Sequence, residues 1–166
     1  MDNNAPDLLE VEEKQKLPSG LNVLTILTFI GCAVFGLLTL FARQLDNLFL
    51  RMIDKQLESG RDFSAKELAD MQKGKAAIEL ALQNIVPLMI IGLIGIALCF
   101  IGALWMRKLK KDGFWIYTAG EIAPLIANIA LLGTSQFNGV LSVILAICVP
   151  LVFVILYATQ RKYLTK

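Results

Sequence analysis

Four long apolar runs, separated by polar segments, set the plan of this chain. Leu21 to Ala42 and Ile85 to Met106 each hold about 22 uncharged residues, enough to cross a hydrocarbon core of about 30 Å. Phe114 to Leu132 and Val140 to Thr159 follow, the third run containing Glu121 and the fourth Pro150. The pattern predicts an all-α fold: a four-helix transmembrane bundle with an extracytoplasmic helical hairpin between spans 1 and 2. Its expected segments are a disordered acidic tail (1–20), span 1 (21–42), the amphipathic hairpin (43–84), span 2 (85–106), a basic loop (107–113), span 3 (114–132), a short loop (133–139), span 4 (140–159) and a basic tail (160–166).

Within 43–84 the periodicity changes. Leu45, Leu48, Phe49, Met52, Ile53 and Leu57 recur at helical spacing with charges between them, which is the signature of an amphipathic helix. Ser59-Gly60 interrupts it. Ser64 to Glu67 then supplies a capping box, with Phe63 and Leu68 spaced as a hydrophobic staple, and a second helix carries Leu68, Met71, Ile78 and Leu82 on one face. Gly74 weakens that helix by about 1 kcal/mol relative to Ala, and Pro87 is the expected kink on the way into span 2. If both helices continue their neighbouring spans, they project about 24 Å from the bilayer and bury their stripes on each other. The rival arrangement lays the first helix in the interface. Two facing stripes and a tight turn favour the projecting form.

Small residues recur every fourth position inside the spans. Thr28, Cys32 and Gly36 share one face, Gly95, Cys99 and Ala103 another, with Gly92 and Gly102 nearby, and Ala119, Ala123 and Ala127 a third beside Gly120. Such stripes let helices approach closely. Gly31-Cys32 also has the outline of a lipoprotein cleavage site, but Phe29 and Ile30 before it and the apolar run after it argue for an intact span.

Charge gives direction to the plan. Net charge is only +2, so no basic field argues for nucleic acid. Between spans 2 and 3, however, Arg107, Lys108, Lys110 and Lys111 crowd a loop that ends in an Asp112-Gly113 turn and is bracketed by Trp105 and Trp115. Cations are retained in the cytoplasm and Trp prefers the headgroup level. With both termini cytoplasmic, the two short loops carry four cations against none, and the seven cations outside lie in the charge-balanced hairpin where the rule is weakest.

Composition narrows the chemistry further. At 56% hydrophobic residues and a mean hydropathy of +0.63, the chain has more apolar surface than a soluble domain buries. It has no histidine, the commonest general base and metal ligand. Cys32, Cys99 and Cys148 lie within spans without a Cys-x-x-Cys pair, so they are read as buried small side chains, not as redox centres. Phosphate-cradling glycine loops and nucleophile-base pairs do not occur, and no cofactor, metal or catalytic residue is expected.

Glu121 is the one ionisable residue in a span, with Pro124 three residues on and Asn128 a further turn along. A carboxylate there must be protonated, paired or hydrated, so it is expected to face the protein interior. Three roles fit: a structural tie to Arg107, Lys108 or Arg161, a proton or transport site, or a contact to a partner subunit. Glu121, Pro124 and Asn128 form the candidate polar site.

Leu104 to Tyr117, read Leu-Trp-Met-Arg-Lys-Leu-Lys-Lys-Asp-Gly-Phe-Trp-Ile-Tyr, resembles the central loop of small uncharacterised four-span bacterial inner-membrane proteins. That resemblance implies a multi-pass protein of the bacterial inner membrane and brings no activity with it. The resulting expectation is a non-enzymatic subunit or scaffold that contacts the lipid bilayer and either itself, as a homo-oligomer, or other membrane proteins. The alternatives are an oligomeric proton- or ion-coupled transporter or channel using Glu121, and an envelope sensor working through the 43–84 hairpin.

Overall fold

A computed structural model describes residues 17–59, 62–133 and 144–165. Among them all regular structure is helical. Helix α1 is Ser19–Leu40, α2 Ala42–Glu58, α3 Ala65–Gln83, α4 Ile85–Arg107 and α5 Asp112–Leu132, followed by a π-helical turn Ile144–Cys148, α6 Val149–Gln160 and a short 3₁₀ turn Arg161–Tyr163. Three of these, α1, α4 and α5, are long and apolar enough to cross a membrane. Their apolar side chains point outward in the manner of a lipid-facing surface: Ile30 is 56% exposed and Ile126 62%.

The expected tail, loop and fourth span fall partly outside the described residues, namely 1–16, 134–139 and 140–143. Gly60 lies outside them as well. The structure begins α1 at Ser19, two residues before the expected start, with Leu17 packed against the core.

Two junctions join hairpin helices to long ones with little interruption. Only Phe41 separates α1 from α2, and its N–H still reaches the Leu37 carbonyl at 3.0 Å while its own carbonyl accepts from Leu45. Asn84 separates α3 from α4, its side-chain amide donating to the Leu80 carbonyl at 3.0 Å. The expected kink at Pro87 is thus a break three residues earlier. Pro87 has no N–H for the Gln83 carbonyl, so the helical ladder is interrupted where that bond would have closed.

The α2–α3 pairing meets the expectation of mutually buried stripes only in part: Leu45, Ile53 and Leu57 of α2 and Met71, Ile78 and Leu82 of α3 are half-buried. The two helices meet, and Lys75 Nζ lies 2.6 Å from Asp54 Oδ1, a contact that raises the lysine above its ordinary range. Neither helix contains a fully buried residue, and Leu48, Phe49, Met52 and Leu68 stay exposed. The inward side of α2 carries Ala42, Leu45, Asp46, Leu50, Ile53, Asp54 and Leu57, overlapping the apolar stripe at Leu45, Ile53 and Leu57 and turned from Leu48, Phe49 and Met52. Partial burial on that side pushes the Asp46 carboxyl above its usual range.

Close packing of α4 on α5 forms the centre of the molecule. A Cβ built on Gly102 would lie 2.6 Å from the Tyr117 nitrogen, and one on Gly120 would lie 2.8 Å from the Cys99 nitrogen. Gly95 receives the ring of Pro124 in the same way, and Gly113 abuts Met106. The α5 face in use is therefore Gly113, Tyr117, Gly120 and Pro124. The Ala119, Ala123, Ala127 stripe is not that face, since Ala119 and Ala123 are exposed. Glycine wins because it lets the two backbones meet, whereas alanine holds them apart by a methyl.

Helix α1 packs on α4 through Phe29 on Phe100, ring centroids 5.1 Å apart, and α6 closes between α1 and α5 through Tyr157. Leu21, Leu24, Met106, Leu109, Phe114, Tyr117, Tyr157 and Leu164 form one buried cluster at the basic-loop end. The start of α1, the α4–α5 loop and the residues after α6 all meet there, the Thr165 N–H donating to the Leu109 carbonyl at 3.1 Å.

The turn in that loop is not the expected Asp112-Gly113. Leu109 takes the left-handed conformation (φ 57°), its N–H bonds the Met106 carbonyl and the Lys110 N–H reaches back to Trp105, the two bonds of a Schellman cap. Asp112 instead opens α5, where an acid suits the helix N-terminus, and Gly113 serves the contact with α4.

Candidate functional site

A cavity of about 390 Å³ lies between α1, α4, α5 and α6. The three candidate residues Glu121, Pro124 and Asn128 all line it, from one face of α5. Facing them are Thr28, Cys32 and Thr39 of α1, Gly92, Gly95 and Cys99 of α4, and Ala146, Pro150 and Phe153 from the α6 side. From the level of Thr28 to that of Thr39 is eleven residues, so at a rise of 1.5 Å per residue the cavity follows about 16 Å of helix.

One end is stopped. Tyr117 and Tyr157 are essentially inaccessible, their rings 4.6 Å apart, with Leu21, Leu24 and Met106 beneath them on the basic-loop side. The hydroxyls of these tyrosines tie the floor to the walls. Thr28 and Tyr157 share a hydrogen bond of 2.8 Å, and Tyr117 Oη donates to Glu121 Oε1 at 2.7 Å. Sulfur completes this layer, Cys99 Sγ donating weakly to the Tyr117 carbonyl and Cys32 Sγ to the Ile96 carbonyl, each at 3.8 Å.

Glu121 is half-buried, and the tie expected to a basic residue does not form. Arg107 lies over the ring of Phe29 at 5.8 Å, and Arg161 stacks against Phe114 at 4.9 Å and Trp115 at 5.2 Å. These guanidiniums gain cation–π contacts at the basic-loop end of the helices, and a tyrosine one turn below Glu121 offers its carboxylate a nearer partner. Of the remaining topology residues, Lys110 caps the Trp105 ring at 5.2 Å, while Lys108, Lys111 and Trp115 are exposed.

Pro124 supplies no N–H to the Gly120 carbonyl, which lacks the ordinary helical bond and lies beside Gly95 of α4. Pro124 and Pro150 both border the cavity. The result is a pocket with one carboxylate, one amide and hydroxyls on otherwise apolar walls, and no Lys or Arg among its described lining residues.

Tyr117 was legible in principle, because it precedes Glu121 by four residues and so shares its helix face. Tyr157 and Thr28 had no such signal. Thr28 stood out only as a small residue, and its use is the hydrogen bond to Tyr157. No known protein family, curated protein or solved structure matches this chain, so its site is read from its own chemistry.

Proposed function

We propose that the protein is a four-span, non-enzymatic integral membrane protein of the bacterial inner membrane, with both termini cytoplasmic, and that it is a proton- or ion-coupled small transporter or channel working through Glu121. One observation carries the reading: the carboxylate lines a cavity between the helices and accepts a hydrogen bond from a tyrosine, with no Lys or Arg among the described lining residues. A purely architectural acid is expected to be paired, because an unpaired one in hydrocarbon is costly. The fourth span would be 140–159, supported by the apolar helix α6 that packs between α1 and α5. The cavity, stopped at the basic-loop end, would be open to the other side in this conformation and would need a shift of the tyrosine floor to release its contents inward.

The test is flux. Purified protein in liposomes loaded with a pH-sensitive dye should dissipate an imposed proton or cation gradient, and Glu121→Gln should abolish that activity while eluting and melting like the wild type. Equal flux from both proteins would remove Glu121 from the mechanism.

A second reading, a subunit of a larger membrane assembly, has its own support in the exposed Leu48, Phe49 and Met52 of α2. Gentle extraction from the native membrane followed by mass determination of the intact assembly separates the two. A stoichiometric second protein favours the subunit, and a homo-oligomer favours the conduit.

A further inference from the structure

The cavity's chemistry selects a class of ligand, an inference that rests on reading it as a working site. At about 390 Å³ it falls in the range of small-molecule pockets, roughly 300 to 1,000 Å³, and is about thirteen times the volume of a liquid water molecule. An inorganic ion alone would leave most of it empty. Its charge is one-sided: Glu121 is the only Asp, Glu, Lys or Arg among the described lining residues. The remainder of the wall is uncharged and mostly apolar or aromatic, with Ile96, Leu125 and Phe153 around it and Tyr117 at the floor, its polar members being Thr28, Thr39, Asn128, Cys32 and Cys99. An anion would meet repulsion there with no donor cation to offset it. A neutral solute would offer the carboxylate no counter-charge and leave it to be protonated or hydrated instead.

We propose that the cavity binds a monovalent organic cation, an ammonium group with an apolar body, whose charged nitrogen sits at Glu121 and whose body lies against Phe153 and Leu125. The Tyr117 hydroxyl then positions the carboxylate.

The test uses two probes of the same shape, benzyltrimethylammonium and its uncharged carbon isostere neopentylbenzene. Equilibrium dialysis against full-length protein in phosphatidylcholine nanodiscs, with empty nanodiscs subtracted, should show saturable binding of the cation and none of the isostere. Glu121→Gln should weaken the cation on the order of tenfold or more, as removal of one partner of a desolvated charge pair does. The proposal is overturned if the isostere saturates as tightly as the cation, if the cation does not bind, or if Glu121→Gln binds it like the wild type. The first two comparisons need no variant, so a misfolded Glu121→Gln leaves the matter decidable. Glu121-dependent flux in liposomes without cation binding would overturn the ligand class and leave the conduit standing. Cation binding without flux would do the reverse.

Discussion

Leu109 shows how much a single residue in the basic loop contributes. A leucine in the left-handed region costs about 1–2 kcal/mol, yet burying its side chain returns about 1.5–3 kcal/mol, and the side chain is only 7% exposed. Leu109→Gly loses both quantities and should cost about 1 kcal/mol. Leu109→Ala keeps the strain and loses the burial, so it should cost more, about 2–3 kcal/mol. Thermal melts of the purified protein should therefore rank wild type above Leu109→Gly above Leu109→Ala, and the opposite order of the two variants would show that burial of this side chain counts for little. Glu67 is a second residue with a readable consequence. Hydrogen bonds from the Ser64 hydroxyl and backbone N–H, 2.7 and 2.9 Å long, hold its carboxyl below the usual range. Because the folded value is lowered, the stabilisation is complete above the ordinary carboxylate range and disappears as pH falls through the lowered value. Hydrogen-exchange protection in the first turn of α3, corrected for intrinsic rates, should drop on acidification, and Ser64→Ala should flatten that dependence.

Among the elements, the α4–α5 pair depends most on particular residues. Alanine at Gly102 would push its methyl into the Tyr117 backbone, which α5 can relieve only by moving away, at about 1–3 kcal/mol. Gly74 in α3 has nothing within 4 Å of the same added carbon, so Gly74→Ala should gain up to about 1 kcal/mol from helix propensity. Denaturation midpoints of the two variants should move in opposite directions, and a harmless Gly102→Ala would mean that the helices are not in backbone contact. Element identity was legible because period and caps are local. The amphipathic stripe gave α2, and Ser64 with Glu67 gave the start of α3. Element faces were less legible. Gly113 looked like a turn residue beside Asp112, and Ala119, Ala123 and Ala127 looked like a packing stripe. Which small residues meet is decided by the partner's surface, and no single helix encodes that. The site divides the same way: Glu121, Pro124 and Asn128 are visible as a local cluster, whereas Tyr157 reaches Thr28 across 129 positions.

For the whole molecule, sidedness is the property with the most consequences. The start of α1, the basic loop and the residues after α6 gather at one end, so whichever side the loop occupies, the others share it. In a background with Cys32, Cys99 and Cys148 replaced by Ala, a cysteine at Lys111 should react with a membrane-impermeant maleimide only after permeabilisation, and one at Lys66 should react in intact cells. The reverse pattern would invert the orientation and turn the stopped end of the cavity outward.

The close backbone fit of α4 on α5 also bears on biogenesis. The two helices are adjacent in the chain and joined by four residues, Lys108 to Lys111, so their contacts are local and form early, before any partner distant in sequence can be found. The hairpin is expected to assemble as a unit, with α1 and α6 arriving as later walls. Until they do, there is no cavity: Glu121 has Tyr117 for company and lipid or stray water for the rest of its surroundings, an expensive position that only closure of the bundle relieves. The acid central to the proposed function is thus also a penalty on the unfinished molecule, and it marks an incompletely assembled chain from a finished one. Gly102→Ala, by loosening the first step, should lengthen that exposure as well as lower the final stability.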